Sequence, residues 1–166
     1  PRPDALPDEA ELKRIIAETA PDNVRRWFER ERPIEFRPVD LSHYHDRTPL
    51  PPRQHVWLRA TRRLPDDQAI HRCVLAYLSD MTLVDTALFP HGRSVFDRDL
   101  QVASLDHAIW FHRDLRADEW LLHTQDSPAA AGGRGLARGL VHDLEGRLVA
   151  STAQEGLIRP VAHRPA

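Results

Sequence analysis

A chain of 166 residues can bury one modest core, with room for a short appendage. Its net charge of −2 gives no electrostatic case for nucleic acid or an anionic membrane surface, and its 41% apolar and 29% charged residues are those of an ordinary globular protein. A single cysteine, Cys73, excludes an internal disulfide and fits a reducing compartment, so a cytoplasmic location is expected.

Residues 1–33 form a helical lead-in. Pro7 followed by Asp8 and Glu9 opens one helix with Leu12, Ile15 and Ile16 on a stripe, and Pro21-Asp22 starts a second that carries Val24, Trp27 and Phe28. Two short amphipathic helices must cover something: this chain's own domain or a missing piece. Residues 34–40 read as a first strand, made an edge or irregular one by Pro33 and Pro38. Residues 42–53, with His43, His45 and three prolines, read as an extended loop. Gln54 to Arg62 alternates Val56, Leu58 and Ala60 against Trp57, Arg59 and Thr61, a half-buried strand. After Leu64-Pro65-Asp66-Asp67, where an Asp can cap, Ile70, Val74, Tyr77 and Leu78 fall at helical spacing. Ala69, Cys73 and Ala76 widen the stripe, so the helix is apolar round much of its circumference and Cys73 reads as a buried, inert thiol. The apolar stretch 81–88 continues or re-forms it, and Pro90-His91-Gly92 breaks it.

Four strand-like segments follow. Residues 104–113 put Leu105, His107, Ile109 and Phe111 on one face; residues 119–124 are short and apolar; residues 132–139 hold four glycines and predict a bulge or bend; and Glu145-Gly146 turns into a last strand. There Leu148, Ala150, Thr152, Gln154, Gly156 and Ile158 share one parity. A strand, a helix and an antiparallel meander make an α+β domain. No apolar run approaches the ~20 residues of a membrane span. Lys13 is the only lysine among 23 basic residues, a coding bias rather than a phosphate-binding adaptation. The opening Pro1-Arg2-Pro3 fits neither a signal peptide nor an initiator, which leads to the expectation of a processed or truncated chain.

Three polar residues stand out. Asp80 ends an apolar helix, where the macrodipole disfavours a carboxylate and burial would raise its pKa. Gln154 shares the parity of Ala150 and Ile158, which would place an amide in the core with its hydrogen-bonding capacity to satisfy. Ser104 starts a strand. From spacing alone, each also reads as an ordinary structural residue. His43-x-His45 beside Asp46 lacks a further fixed ligand and reads as surface loop, not a metal site. Asp106 and His107 point to opposite strand faces and form no dyad with each other. Gly132-Gly133-Arg134-Gly135 has no helix after it, so a strand bend is a better reading than a phosphate loop.

The runs L-A-Y-L-S-D at 75–80, P-H-G at 90–92, D-H-A-I-W-F-H-R at 106–113 and A-S-T-A-Q-E-G at 150–156 together resemble the acyl-CoA thioesterase II family, from about residue 34 to 159. The resemblance implies a hotdog fold over 34–160, an antiparallel sheet wrapped around a long helix, with a flexible tail at 161–166. It implies hydrolysis of acyl-CoA to fatty acid and CoA, with no metal or other cofactor, by a water held by Asp80, Ser104 and Gln154. Ser104 stands where the family usually has Thr, which keeps the hydroxyl and loses the methyl that restricts it. Arg134 or Arg138 are candidates to contact the CoA phosphates. The family joins two hotdog units in one polypeptide, so the chain is expected to be a C-terminal half, with 1–33 as linker, that pairs with an N-terminal half or with itself. Two alternatives are a non-catalytic half-hotdog module that completes a partner, and an acyl-CoA hydratase or dehydratase using His107.

Overall fold

The computed structural model describes residues 1–161, so all but the first residue of the tail expected at 161–166 lies outside the described residues. Helices α1 (Glu9–Thr19) and α2 (Asp22–Glu29) lead into β1 (Ile34–Pro38), a one-turn helix α3 (Ser42–His45) and β2 (Arg53–Ala60). The long helix α4 (Gln68–Asp80) is followed by a 3-10 turn at Val84–Ala87 and then β3 (Leu100–Ser104), β4 (Ala108–Phe111), β5 (Leu121–Ala131), β6 (Arg134–His142) and β7 (Leu148–Pro160). All strand pairs are antiparallel, in the order β1-β2-β5-β6-β7-β3, with β4 also on β7. The sheet curls around α4 in the hotdog arrangement.

Asp67 caps α4 by accepting from Ala69 N at 2.9 Å. Leu75 and Leu78 from the helix and Leu83 and Leu88 beyond it are almost wholly buried, and removing such side chains from water contributes roughly 1.5–3 kcal/mol each. Leu75 and Leu78 pack with Ile34, Phe36, Val56, Leu58, Leu121, Val141 and Val149 from the strands or beside them. An 18-residue window within Gln68–His91 reaches a mean hydropathy of 1.2, which by length and composition alone could cross a membrane; 56% of that window is buried within this fold, as befits a core helix packed on its own sheet. Helices α1 and α2 pack Leu12, Ile16, Val24 and Phe28 against Tyr44, and Trp27 leans on Phe36 of β1 and on Phe96. They cover β1 and α3 of this chain.

Several local expectations are corrected. The loop expected over 42–53 contains α3, which buries His43 against Tyr44 and Phe89. Strand β2 alternates as expected at Arg53–Val56, but its outer face is also buried at Trp57, whose indole N–H donates to the Pro1 carbonyl at 3.0 Å. Cys73 is exposed, as are Ile70 and Tyr77, since the sheet curls around only one side of α4. The segment read as one strand over 104–113 is broken at residues 105–107. Strand β5 runs on to Ala131, and Gly132-Gly133, both at positive φ, form the tight turn into β6.

Candidate active site

The break in the edge strand makes the site. Strand β3 pairs with β7 as far as Ser104↔Gly156, and β4 resumes at Ala108↔Ala153. The gap lies opposite Gln154 and Glu155. Leu105 N still reaches Glu155 O at 2.9 Å, while the exposed Asp106 carboxylate reaches β7 so that Oδ1 accepts from Glu155 N at 2.7 Å. One carboxylate oxygen stands in for a strand carbonyl, so the ladder opens without leaving that amide unpaired.

Into this gap comes the end of α4. Gln154, with no exposed surface, sits on the inner face of β7 together with Ala150, Thr152 and Gly156, the parity expected from the sequence. Its Nε2 donates to Asp80 Oδ1 and, at 3.0 Å, to Ser104 Oγ. Ser104 Oγ donates to the same Asp80 Oδ1 at 3.2 Å. The three residues, separated by 24 and 50 positions in the chain, thus close a triangle of hydrogen bonds. Two donors answer the macrodipole's penalty on a carboxylate at a helix C-terminus. Among the described residues Asp80 Oδ2 takes no hydrogen bond, and Gln154 Oε1 is buried without a partner.

Asp80 and Ser104 are exposed, so the burial expected for Asp80 is not found. The reason is geometric: α4 emerges from the curl of the sheet at its last turn. Tyr77 and Leu105 beside them are 54% and 52% exposed. His107 Nε2 lies 3.2 Å from Ser79 Oγ and makes no bond to a carboxylate. Arg138 pairs with Asp126 at 2.6 Å and Arg134 with Glu155 at 3.6 Å. Among the described residues no group of three or more His, Cys, Asp or Glu gathers as a metal site would require, at His43 and His45 or elsewhere.

Residues 23–157 match the acyl-CoA thioesterase family. The chain belongs to that family. It is 40% identical over 157 residues to acyl-CoA thioesterase 2 of Haemophilus influenzae, a match covering 95% of this chain and 55% of that protein. It superposes on the crystal structure of the acyl-CoA thioesterase II TesB2 of Mycobacterium marinum with a TM-score of 0.73 at 41% identity, covering 99% of this chain and 56% of that one. A protein with a hot dog fold from Alicyclobacillus acidocaldarius, at 18% identity and a TM-score of 0.64, shares the fold. This thioesterase-family chain therefore spans about half the length of the relatives it matches.

Sequence reasoning missed a second set of buried polar groups, His123 and Gln125 on β5. The signal was present: Leu121, His123, Gln125 and Ser127 alternate, and an apolar first member placed two polar residues on the core-facing parity.

Proposed function

We propose that this chain carries the hydrolytic site of an acyl-CoA thioesterase, with Asp80 as general base and Ser104 and Gln154 as the groups that hold it and its water. The observation that supports this reading is the meeting of a carboxylate, a hydroxyl and an amide from three distant segments at a gap in the sheet edge. Asp80 Oδ1 is engaged by two donors, so Oδ2 is the oxygen available to take a proton from water. Ser104 and Gln154 fix the carboxylate, and with it the line of attack on the thioester carbonyl carbon. The water oxygen bonds to that carbon, the C–S bond breaks, and CoA leaves as thiolate and takes up the proton held by Asp80. The products are the fatty acid and CoA thiol. No covalent enzyme intermediate is needed, because a thiolate is a competent leaving group. The names of the relatives supply the substrate class.

The reading includes a second hotdog unit. Ile70, Cys73, Tyr77 and Asp80 follow one another at spacings of three, four and three, which places them on a single exposed stripe of α4. An apolar stripe that ends at the base suits a mating unit that would cover it and wall the acyl site. That unit is an N-terminal half, or a second copy, and the lead-in 1–33 is the linker to it. An assay of thiol release from acyl-CoAs of several lengths, on the chain alone and with an N-terminal unit, tests both parts. Asp80→Asn is expected to lower kcat by ~10²-fold or more with the fold intact. An unchanged rate would remove Asp80 from the mechanism, and absence of hydrolysis under either condition would favour a non-catalytic module.

A further inference from the structure

The inner face of the sheet carries a polar chain that the hydrolytic trio does not use. Gln54, Thr82, His123, Gln125 and Thr152 are all buried. Its polarity is fixed at one end. The carbonyl of Thr82 can only accept, so the Gln54 atom 2.7 Å from it is the amide nitrogen. The same nitrogen donates to Gln125 Oε1 at 2.8 Å. Gln125 Nε2 is then the donor to both Thr82 Oγ1, at 2.7 Å, and His123 Nδ1, at 2.9 Å. Since Nδ1 accepts, the imidazole is neutral with its proton on Nε2, and that N–H is donated to Thr152 Oγ1 at 3.0 Å. Burial acts in the same direction, pushing His123 down to about 3.

This chain passes over a strand. His123 lies on β5 and Thr152 on β7, with β6 between them. The β6 residue underneath is Gly139, in register with Gln125 on one side and Thr152 on the other. Any Cβ there would overlap His123 Nε2 and stand 2.5 Å from Thr152 Oγ1. The bond between two strands that are not neighbours exists because residue 139 is bare backbone.

Both ends of the chain stop beside the trio. Thr82 is two residues beyond Asp80 and is held at its carbonyl and its hydroxyl. Thr152 is two residues before Gln154 on the same face of β7. We propose that Gln125 and His123 are positioning residues that tie the turn behind Asp80 to the strand bearing Gln154, and so set the spacing of carboxylate and amide without touching substrate. The inference rests on the hydrolytic reading of the trio.

Thr82→Val and Thr152→Val remove the hydroxyl at each end in whichever assembly hydrolyses acyl-CoA. Each is expected to lower kcat about tenfold, short of the ~10²-fold that a 1 Å misplacement can bring, with KM within about twofold. Thr82→Ser and Thr152→Ser should restore the rate, and the double valine variant should fall less than the product of the singles, because both hydroxyls act through one connected chain. The side-chain amide proton resonances of Gln154 give a readout independent of turnover, and should move in both valine variants. Unchanged kcat and Gln154 resonances would overturn the proposal. So would a loss of rate that serine does not restore, or that follows melting temperature across the set, since a merely structural role predicts that pattern. The hydrolytic reading fails separately, through an active Asp80→Asn.

Discussion

Ser104 donates its one proton to Asp80 Oδ1 and accepts one from Gln154 Nε2, so a single oxygen joins base and amide. The hydroxyl carries this link and the missing methyl does not. Threonine there would restrict χ1, and the exposed position leaves room for a methyl. Thioester hydrolysis by Ser104→Thr is therefore expected to equal or modestly exceed wild type, and Ser104→Ala to fall about tenfold in kcat, in line with losing one orienting hydrogen bond. Steady-state thiol release across the three side chains checks the order; alanine matching serine would separate the hydroxyl from turnover.

Strand β6 shows how an element is shaped by what it must admit. Its inner residues are Gly135, Ala137, Gly139 and Val141, while Arg134, Leu136, Arg138 and Leu140 face out. Small inner residues let the 3-10 turn at Val84–Ala87 press close to the sheet. A Cβ at Gly135 would lie 2.5 Å from Ala87 Cβ, and one at Gly156 on β7 would lie 2.7 Å from Val84 Cγ1. Gly156→Ala is thus an overpacking change, expected to destabilise by about 1–3 kcal/mol. Combining it with Val84→Ala should be less destabilising than the sum of the two, because the second change removes the methyl that the first strikes. Equilibrium urea unfolding of the four species measures the coupling, and strict additivity would show that the turn yields freely.

At the scale of the whole molecule, buried titratable groups oppose one another. Burial pushes Asp85 up to about 7 and His43 and His123 down to about 4 and 3. For Asp85 the folded state holds a proton that the unfolded state has released between about 3.8 and 7. Its contribution is present at low pH and is lost as pH rises through that window. The histidines act with the opposite sign, since there the unfolded state binds the extra protons and stability falls as pH falls below about 6.5. Asp85→Asn, which cannot ionise, should gain stability relative to wild type as pH is raised from about 4 to 7, at up to about 1.4 kcal/mol per pH unit. Urea unfolding at a series of pH values reads this, and a pH-independent difference would mean that Asp85 stays ionised. The exposed stripe on α4 gives a test of assembly. Cys73 is open to solvent in the single chain, so a thiol reagent should label it readily in the isolated chain and at least about tenfold more slowly once a second unit covers the stripe. Equal rates would place that unit elsewhere.

Much of this was legible in the order of residues. The period of α4 and its Asp cap, the parity that puts Gln154 on the inner face of β7, and the turn at Glu145-Gly146 are local patterns, set by backbone geometry within a few residues. The motifs around Asp80, Ser104 and Gln154 then named the family and its fold. The break at residues 105–107, the exposure of Asp80 and Cys73, and the crossing from His123 over Gly139 to Thr152 were decided only in three dimensions. Each depends on which neighbour covers a face or leaves it bare. Burial and cross-strand contact belong to pairs of segments far apart in the chain, and no periodicity within one segment encodes its partner.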